Sequence, residues 1–241
     1  MRIINEPTAA ALSYEANHQD HKKVLVYDLG GGTFDVSVVS IEDNVVEVLA
    51  SHGNNHLGGD DFDAQIVAHL VDYLKTQGAD PTISRKAMAR ITRAAETAKI
   101  ALSDQPYTRI EEEYLLDKAE TPVHLSLELA RRDYEAMIHS YIDETLEAAH
   151  ITLKGANLTV SDIDEVLLVG GATRTPAITE RLEADLGLAV RAEVNPEFMR
   201  RHRRGPPGRD AGRRTRFGSA GRHHPLHLWH QRPGRPERHP L

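Results

Sequence analysis

Residues 23–52 contain three strand-like runs separated only by short turns, and this pattern limits the possible folds more than any other stretch of the chain. The runs read KVLVYDL, TFDVSVVSI and VVEVLASH, and they are rich in the β-branched residues that favour extended structure. Glycines 30–32 separate the first two runs, and residues 42–44 separate the second from the third. Because turns this short join antiparallel neighbours, the stretch predicts an antiparallel meander.

Beyond residue 58 the apolar residues recur with a helical period, which predicts helices rather than strands. One helical face runs from Phe62 to Leu74, and further helices are predicted over about residues 84–103 and 128–149. Between these two helices, YTRIEEEYLL and VHLSL are typical of strands in a smaller sheet. A buried strand EVLLV, a glycine turn, a helix PAITERLEADL and a strand AVRAEV follow. The order of elements predicts a fold of the α/β class.

The charge of the chain divides it into two unlike parts. Residues 199–241 contain 12 arginines and two acids, a net charge of +10, whereas residues 1–198 have a net charge of −17. The acidic part can bury a sizeable core, but the basic part has six prolines and few aliphatic residues, so we expect it to be disordered. The absence of cysteine excludes disulfides and suits a cytoplasmic protein, and no apolar run has the length of a membrane span.

The strongest chemical signal is YDLGGGTFDVSVV, at residues 27–39. Consecutive glycines allow backbone N–H groups to form one concavity without side chains, and a phosphate fits such a nest. Asp28 and Asp35 flank the turn on paired strands, which suggests Mg²⁺ held through water, and Thr33 adds a hydroxyl. The turn alone is equally compatible with a plain glycine hairpin whose acids are solvated.

Three weaker signals lie elsewhere in the chain. LLVGGATRTPAI, at residues 167–178, joins an apolar strand to a helix N-terminus, which is either a nucleotide site or an ordinary turn. Glu96, Lys99 and Ser103 share one helix face by their spacing, although a solvated face with an ion pair has the same pattern. Glu6 lies at a helix start, where a capping carboxylate is the simpler interpretation.

Five motifs occur together along residues 1–198: IINEPTAAAL, YDLGGGTFDVS, LGGDDFD, AETAKIALS and LLVGGATRTPAI. Their order and approximate spacing resemble those of the seventy-kilodalton heat-shock chaperones of the DnaK type, which belong to the actin-like ATPase superfamily. The resemblance implies a nucleotide cleft between two lobes, where ATP hydrolysis drives the capture and release of unfolded polypeptides. It also implies a J-domain co-chaperone and a nucleotide exchange factor as partners, with no membrane and no specific nucleic acid.

The resemblance further implies an actin-like, ribonuclease-H-like lobe of the α/β class with an inserted α+β sub-domain. Residues 16–57 and 139–198 would form the nucleotide-binding sub-domain, and residues 58–138 the smaller inserted one. Residues 1–15 would be a helix of the first lobe, whereas the disordered basic tail over residues 199–241 is expected from its composition and lies outside the resemblance.

Individual residues also receive roles from the resemblance, around a bound ATP or ADP with Mg²⁺. The catalytic group contains the turn threonine and the acids that orient the attacking water and the magnesium waters: Glu6, Asp28, Thr33 and Asp35. Asp28 and Asp35 would hold the metal through water. The residues implied to contact the nucleotide are Gly30, Gly31, Gly32, Thr33, Glu96, Lys99, Ser103, Gly170, Gly171, Ala172, Arg174 and Glu197.

The chain departs from the family pattern at several points. Ile100 stands where the family often has an arginine that stacks on the base, and Glu197 where it usually has an aspartate. The family's first phosphate hairpin and catalytic lysine do not precede Met1. Because phosphoryl transfer needs charge stabilisation from both sides of the cleft, we expect little ATP turnover by this chain alone.

The arginine-rich tail begins where the resemblance stops. Synonymous codons chosen for Met199 onward, read one base later, translate as CVAIGAALQAGML, and those for residues 221–234 as VDITPYTFGISAL. Both products resemble the continuation of the chaperone sequence, so we expect a frameshift near Phe198 or Met199. The alternative interpretations are a basic arm that binds DNA or RNA, a histidine metal cluster in the tail, and, for the whole chain, an actin-like filament protein.

Overall fold

The computed structural model of the chain describes residues 8, 10, 21–42, 45–118 and 121–192. Within them, the strands are β1 (Lys22–Leu29), β2 (Phe34–Glu42), β3 (Val45–Asn54), β4 (Tyr107–Lys118), β5 (Thr121–Ala130), β6 (Glu165–Val169) and β7 (Val190–Ala192). The α-helices are α1 (Gly59–Thr76), α2 (Arg85–Asp104), α3 (Arg131–Gly155) and α4 (Pro176–Leu186). None of these described helices has the length and apolar character needed to cross a membrane. The mixed α/β architecture agrees with the predicted class.

Several predictions concern residues outside this description. The helix over residues 1–15, apart from residues 8 and 10, and the disordered tail over residues 199–241 lie there. Glu6 and Glu197, two of the implied nucleotide-site residues, lie there as well. These points stay predictions.

The main sheet has five strands in the order β3-β2-β1-β6-β7. β1 and β2, and β2 and β3, are antiparallel neighbours, which confirms the predicted meander. β6 lies parallel to β1, and β7 lies parallel to β6. In this register Val169, at the end of β6, is the partner of Asp28 near the end of β1. The glycine turns that follow β1 and β6 therefore lie at the same edge of the sheet.

A single hydrophobic cluster joins the helices to one face of the sheet. Helix α1 contributes a fully buried stripe at four-residue spacing: Phe62, Ile66, Leu70 and Leu74. Helix α2 contributes a stripe in which three of the five buried residues are alanine: Ala87, Ile91, Ala95, Ala98 and Leu102. Because small side chains allow two helices to approach closely, polar residues beside the two stripes come within hydrogen-bonding distance.

The smaller sheet consists of β4 and β5, which pair antiparallel; β4 contacts α2, and β5 contacts α3. The predicted second sheet is therefore present, but a bulge between Glu112 and Leu116 interrupts its pairing. Within the bulge Tyr114 has a φ of 50°. Arg90 of α2 stabilises the bulge, because its guanidinium contacts the Glu112 carboxylate and donates to the Tyr114 carbonyl at 3.0 Å.

The boundaries of α3 differ from the predicted helix over about residues 128–149. The helix begins at Arg131 because β5 continues through Ala130, and the Arg131 N–H donates to the carbonyl of Pro106 at 2.8 Å. It continues to Gly155 because Leu153 is still buried and extends the apolar stripe by a further turn. Tertiary contacts at each end, rather than helix propensity, set these limits.

Candidate functional site

The turn between β1 and β2 is docked on the N-terminus of α1. The N–H groups of Gly59 and of the next residue donate to the carbonyls of Gly30 and Gly31, at 2.9 and 2.6 Å. A helix leaves its first N–H groups without internal partners, so the turn satisfies two of them. Since a trans peptide directs its N–H and C=O to opposite sides, the amides of Gly31 and Gly32 are directed away from α1.

The outward side of this turn has the properties of an anion nest. The turn is closed by a hydrogen bond of 2.9 Å from the Gly30 N–H to the Thr33 carbonyl. Residues 31–33 are exposed. Consecutive exposed amides without side chains between them present partial positive charge to one point, where a phosphate or carboxylate is stabilised.

Two glycines outside the turn allow the backbone to pack closely against it and against the strand that leads into it. A β-carbon at Gly58 would lie 2.4 Å from the carbonyl oxygen of Gly31. Gly170, which follows β6, has a φ of 91°, and a β-carbon there would lie 2.2 Å from the carbonyl oxygen of Leu29 and 2.9 Å from Oδ1 of Asp28. Any side chain at either position would displace the turn or the strand that leads into it.

Asp28 and Asp35 are direct cross-strand partners on the β1–β2 hairpin. Such partners have β-carbons about 4.5–5.5 Å apart on one face of the sheet, where two carboxylates repel each other unless a cation lies near them. Gly53 of β3 pairs with Asp35, and a β-carbon there would lie 2.3 Å from Oδ1 of Asp35, so glycine leaves the carboxylate its space.

This acidic pair fits a magnesium ion that is bound mainly by water and phosphate. Among the described residues, no group of three or more His, Cys, Asp or Glu side chains could hold a metal. Mg²⁺ commonly keeps several waters and takes only one or two protein carboxylates together with phosphate oxygens. Two carboxylates beside an exposed amide nest supply that donor set.

A cleft of about 1130 Å³ opens beside the turn, between α1, α2 and the 3₁₀ turn Gly171–Arg174. Its volume is sufficient for a nucleotide-sized ligand. Eight of the residues predicted to contact a nucleotide line it: Gly30, Gly31, Glu96, Lys99, Ser103, Gly171, Ala172 and Arg174. The fold therefore brings three stretches that are distant in sequence to one cavity.

The other described members of the predicted set lie next to the cleft rather than in its wall. Gly32 and Thr33 lie on the exposed part of the turn. Gly170 contacts the backbone of β1, which indicates that it seats the turn and does not itself form the wall. Ile100, at the position where the resemblance led us to expect a stacking arginine, is 60% exposed and lines the cleft.

A largely buried ion pair ties the α2 wall of the cleft to α1. Nζ of Lys99 lies 2.7 Å from Oδ2 of Asp63 and donates to the carbonyl of Gly59 at 2.9 Å, and the two side chains are 15% and 13% exposed. Burial raises the pKa of Asp63 against the opposing hydrogen bond and charge of Lys99, and the charges of Glu96 and Asp60 add to the increase. The second oxygen, Oδ1, is buried without a partner among the described residues.

Asp63, Gly53 and Gly58 belong to the site, although none of them has an individual role predicted from the sequence; Gly58 and Asp63 lie within the LGGDDFD motif. Asp63 follows the buried Phe62 and resembles an ordinary solvated helix residue. The available signal is its i+4 spacing from Gly59, which places both on the helix face where the turn docks. Gly53 and Gly58 must be glycine because atoms of neighbouring strands and loops lie too close for a β-carbon. No local pattern in the sequence indicates these distances.

Comparison with known proteins matches the chain to a protein family and to curated relatives. Residues 1–198 match the model of a protein family described as Hsp70 protein. Over 198 residues the chain is 46% identical to a chaperone protein DnaK of Mycoplasmopsis synoviae (strain 53), in an alignment that covers 82% of this chain and 33% of that protein. The matched part of the chain thus spans about a third of the length of this relative.

Proposed function

The chain belongs to the Hsp70 family, and we propose that its described residues form the nucleotide-binding part of a chaperone ATPase with the actin-like fold. The docking of the glycine turn on α1, at one end of the cleft, carries this proposal. We also propose the division into residues 16–57 with 139–198 and an inserted sub-domain of residues 58–138. The separate β4–β5 sheet, which shares no strand with the main sheet, supports that division.

In the proposed complex the phosphates of ATP or ADP bind at the glycine turn. The amides of Gly31 and Gly32 donate to phosphate oxygens, and the Thr33 hydroxyl adds a donor. Asp28 and Asp35 accept hydrogen bonds from the waters of Mg²⁺, which supplies positive charge against the phosphates. Glu6 and Glu197, whose roles come from the family resemblance, lie outside the described residues.

The adenosine lies between α2 and the Gly171–Arg174 turn in this proposal. Lys99 uses two of its three donors on Asp63 and Gly59, which leaves one for a ligand hydroxyl. Glu96 and Ser103 line the same wall and supply an acceptor and a hydroxyl. Ile100 offers the base an apolar surface in place of a stacking arginine.

We propose nucleotide binding with little hydrolysis for the chain by itself. Residues 31–33 are exposed, whereas phosphoryl transfer is fast where preorganised groups surround the phosphate and exclude water. The capture and release of unfolded polypeptides, with a J-domain co-chaperone and a nucleotide exchange factor, is proposed only for a protein of the relative's full length, about a third of which the matched residues span.

The substitution Gly32→Ala tests the phosphate site. A β-carbon at Gly32 would lie 3.6 Å from Oδ2 of Asp60, an ordinary contact, so the fold tolerates the methyl group. The methyl group would nevertheless lie next to the Gly32 amide, so we expect it to hinder the close approach of a phosphate and to weaken charge-assisted hydrogen bonds to it. We expect the Kd for MgADP, measured by isothermal titration calorimetry, to rise on the order of tenfold or more.

Gly155→Ala is the matched control. A β-carbon there lies 3.6 Å from the β-carbon of Ala50, an equally ordinary contact at the far end of α3. MgADP should bind this variant as it binds the unchanged chain. Equal affinity of all three proteins would contradict the assignment of the turn to phosphate, and failure of the unchanged chain to bind MgADP would contradict the proposed function.

A further inference from the structure

The first turn of α3 contacts the α2 wall of the cleft from behind. The Arg131 guanidinium donates through Nε to the carbonyl of Leu102 at 2.6 Å and through Nη2 to the carbonyl of Ser103 at 3.3 Å. Its backbone N–H donates to the carbonyl of Pro106 at 2.8 Å. The last carbonyls of a helix have no internal partner, so Arg131 fixes the end of α2 that carries Ser103.

The same turn of α3 contacts the opposite wall. The Tyr134 hydroxyl lies 3.4 Å from Oγ1 of Thr175, which lines the cleft directly after the 3₁₀ turn. The Glu135 carboxylate lies close to the N–H of Ala177, in the first turn of α4, which lowers the pKa of that carboxyl group against the larger effect of burial. Arg131, Tyr134 and Glu135 lie at i, i+3 and i+4, so one helix face reaches both walls.

The two charged members of this face also interact with each other. Burial and the nearby charge of Glu180 raise the pKa of Glu135, while Arg131 and the Ala177 N–H act in the opposite direction. Arg131 therefore helps to keep Glu135 ionised as the acceptor at the start of α4. None of the three residues of this face lines the cleft itself.

We propose that Arg131 and Glu135 are positioning residues that hold the two walls of the nucleoside pocket at a fixed separation. This role rests on the proposed nucleotide function. It gives the first turn of α3 control over the affinity for the adenosine part of the ligand. The phosphate nest depends on backbone hydrogen bonds between the β1–β2 turn and the N-terminus of α1, in which neither Arg131 nor Glu135 takes part. Loosening the walls should therefore weaken adenosine recognition and leave phosphate recognition intact.

The test compares MgADP with magnesium pyrophosphate as probes of the full chain, both by titration calorimetry. Arg131→Ala should raise the Kd for MgADP about tenfold, because two hydrogen bonds from a charged group are lost at the pocket wall. Arg131→Lys, which retains the charge but not the forked donors, should have an intermediate effect. The Kd for pyrophosphate should change less than about twofold in both variants.

Arg132→Ala is the matched control, since this neighbouring arginine has a side chain that is 91% exposed. Its Kd for both probes should equal that of the unchanged chain. On the other wall, Glu135→Ala should weaken MgADP binding, and Glu135→Gln should restore much of it, because the amide oxygen can still accept from Ala177. If Arg131→Ala does not fold, judged by its circular dichroism, Arg131→Lys and Glu135→Gln provide the comparison.

Several outcomes would overturn the positioning role. Equal losses for MgADP and pyrophosphate would show general structural damage, and unchanged MgADP affinity would show that the walls do not depend on this turn. If the unchanged chain and the variants bind MgADP with equal affinity, the positioning role fails but the proposed function stands. If the unchanged chain binds neither probe, the proposed function fails, and the positioning role fails with it.

Discussion

Asp63 places a carboxylate in the cleft wall where its neighbours act on it in opposite directions. Lys99 of α2 stabilises the charged form through a hydrogen bond of 2.7 Å, while burial, Glu96 of α2 and Asp60 of its own helix destabilise it. Tyr134 of α3 lies near the same carboxylate and interacts electrostatically with its negative charge. The net result is a pKa above the ordinary 3.8, so ionising Asp63 costs more in the folded chain than in the unfolded one.

This shift predicts a pH dependence of stability with a defined sign. Folded Asp63 binds its proton more tightly than unfolded Asp63, so its contribution to the free energy of unfolding falls as pH rises from about 4 through the raised pKa. The difference in unfolding free energy between the unchanged chain and Asp63→Asn should therefore decrease over that interval. Urea denaturation at a series of pH values measures it.

Asp80→Asn gives the opposite sign and serves as the control. Hydrogen bonds from the Thr82 hydroxyl and N–H lower the pKa of the exposed Asp80. Its contribution to stability is present above the ordinary pKa and is lost as pH falls through the lowered one. A difference for Asp63→Asn that does not vary with pH would show that Lys99 balances burial at Asp63, and one that varies like that of Asp80→Asn would show that Lys99 outweighs it.

At the scale of elements, the junction between β6 and the 3₁₀ turn depends on glycine for two separable reasons. Gly170 combines a φ of 91° with a β-carbon position 2.2 Å from the carbonyl oxygen of Leu29. Gly187, at the end of α4, has a φ of 64° but no atom within 4 Å of a β-carbon. Gly171 has neither a positive φ nor a contact within 4 Å.

Alanine at these three positions should therefore give a graded loss of stability. We expect Gly171→Ala to be nearly neutral, Gly187→Ala to cost about 1 kcal/mol for the left-handed conformation, and Gly170→Ala to cost at least about 3 kcal/mol because the clash adds to the strain. Urea denaturation of the three variants measures the order. Equal costs at Gly170 and Gly187 would contradict the close approach of the β6 turn to β1.

Local patterns are sufficient to predict the elements but not their contacts. The meander is predicted from three strand-like runs and two short turns, and α1 from a stripe of helical period, because these signals lie in short continuous stretches of sequence. The start of α3 at Arg131 depends on the hydrogen bond from its N–H to the carbonyl of Pro106. The bulge in β4 depends on contacts with Arg90 of α2. Contacts between elements have no such local signal.

The site shows the same difference between local and long-range information. The glycine turn is a continuous motif, so its anion nest could be predicted from residues 30–33. Lys99 was predicted only through a helix face and a family resemblance, since its spacing alone also fits a solvated helix. Asp63 could not be predicted as its partner, because the ion pair exists only where α1 and α2 pack against each other.

At the scale of the whole molecule, the charge asymmetry separates two kinds of binding. Residues 1–198, with a net charge of −17, contain the glycine turn and the cleft, whereas residues 199–241 contain 12 arginines and have a net charge of +10. A polyanion is repelled by the first part and attracted by the second, whatever the origin of the tail. Nucleotide binding at the cleft depends on local hydrogen bonds instead.

A chain that ends at Phe198 should therefore lose polyanion binding and keep nucleotide binding. We expect the whole chain to bind double-stranded DNA without sequence preference, with an affinity that falls steeply between about 50 and 200 mM salt, since each neutralised phosphate releases a counterion. Fluorescence anisotropy measures this, and the shortened chain should show no binding at either salt concentration. Its Kd for MgADP should stay within about twofold of that of the whole chain. DNA binding that survives the truncation would instead place a nucleic-acid site within residues 1–198, against their acidic charge.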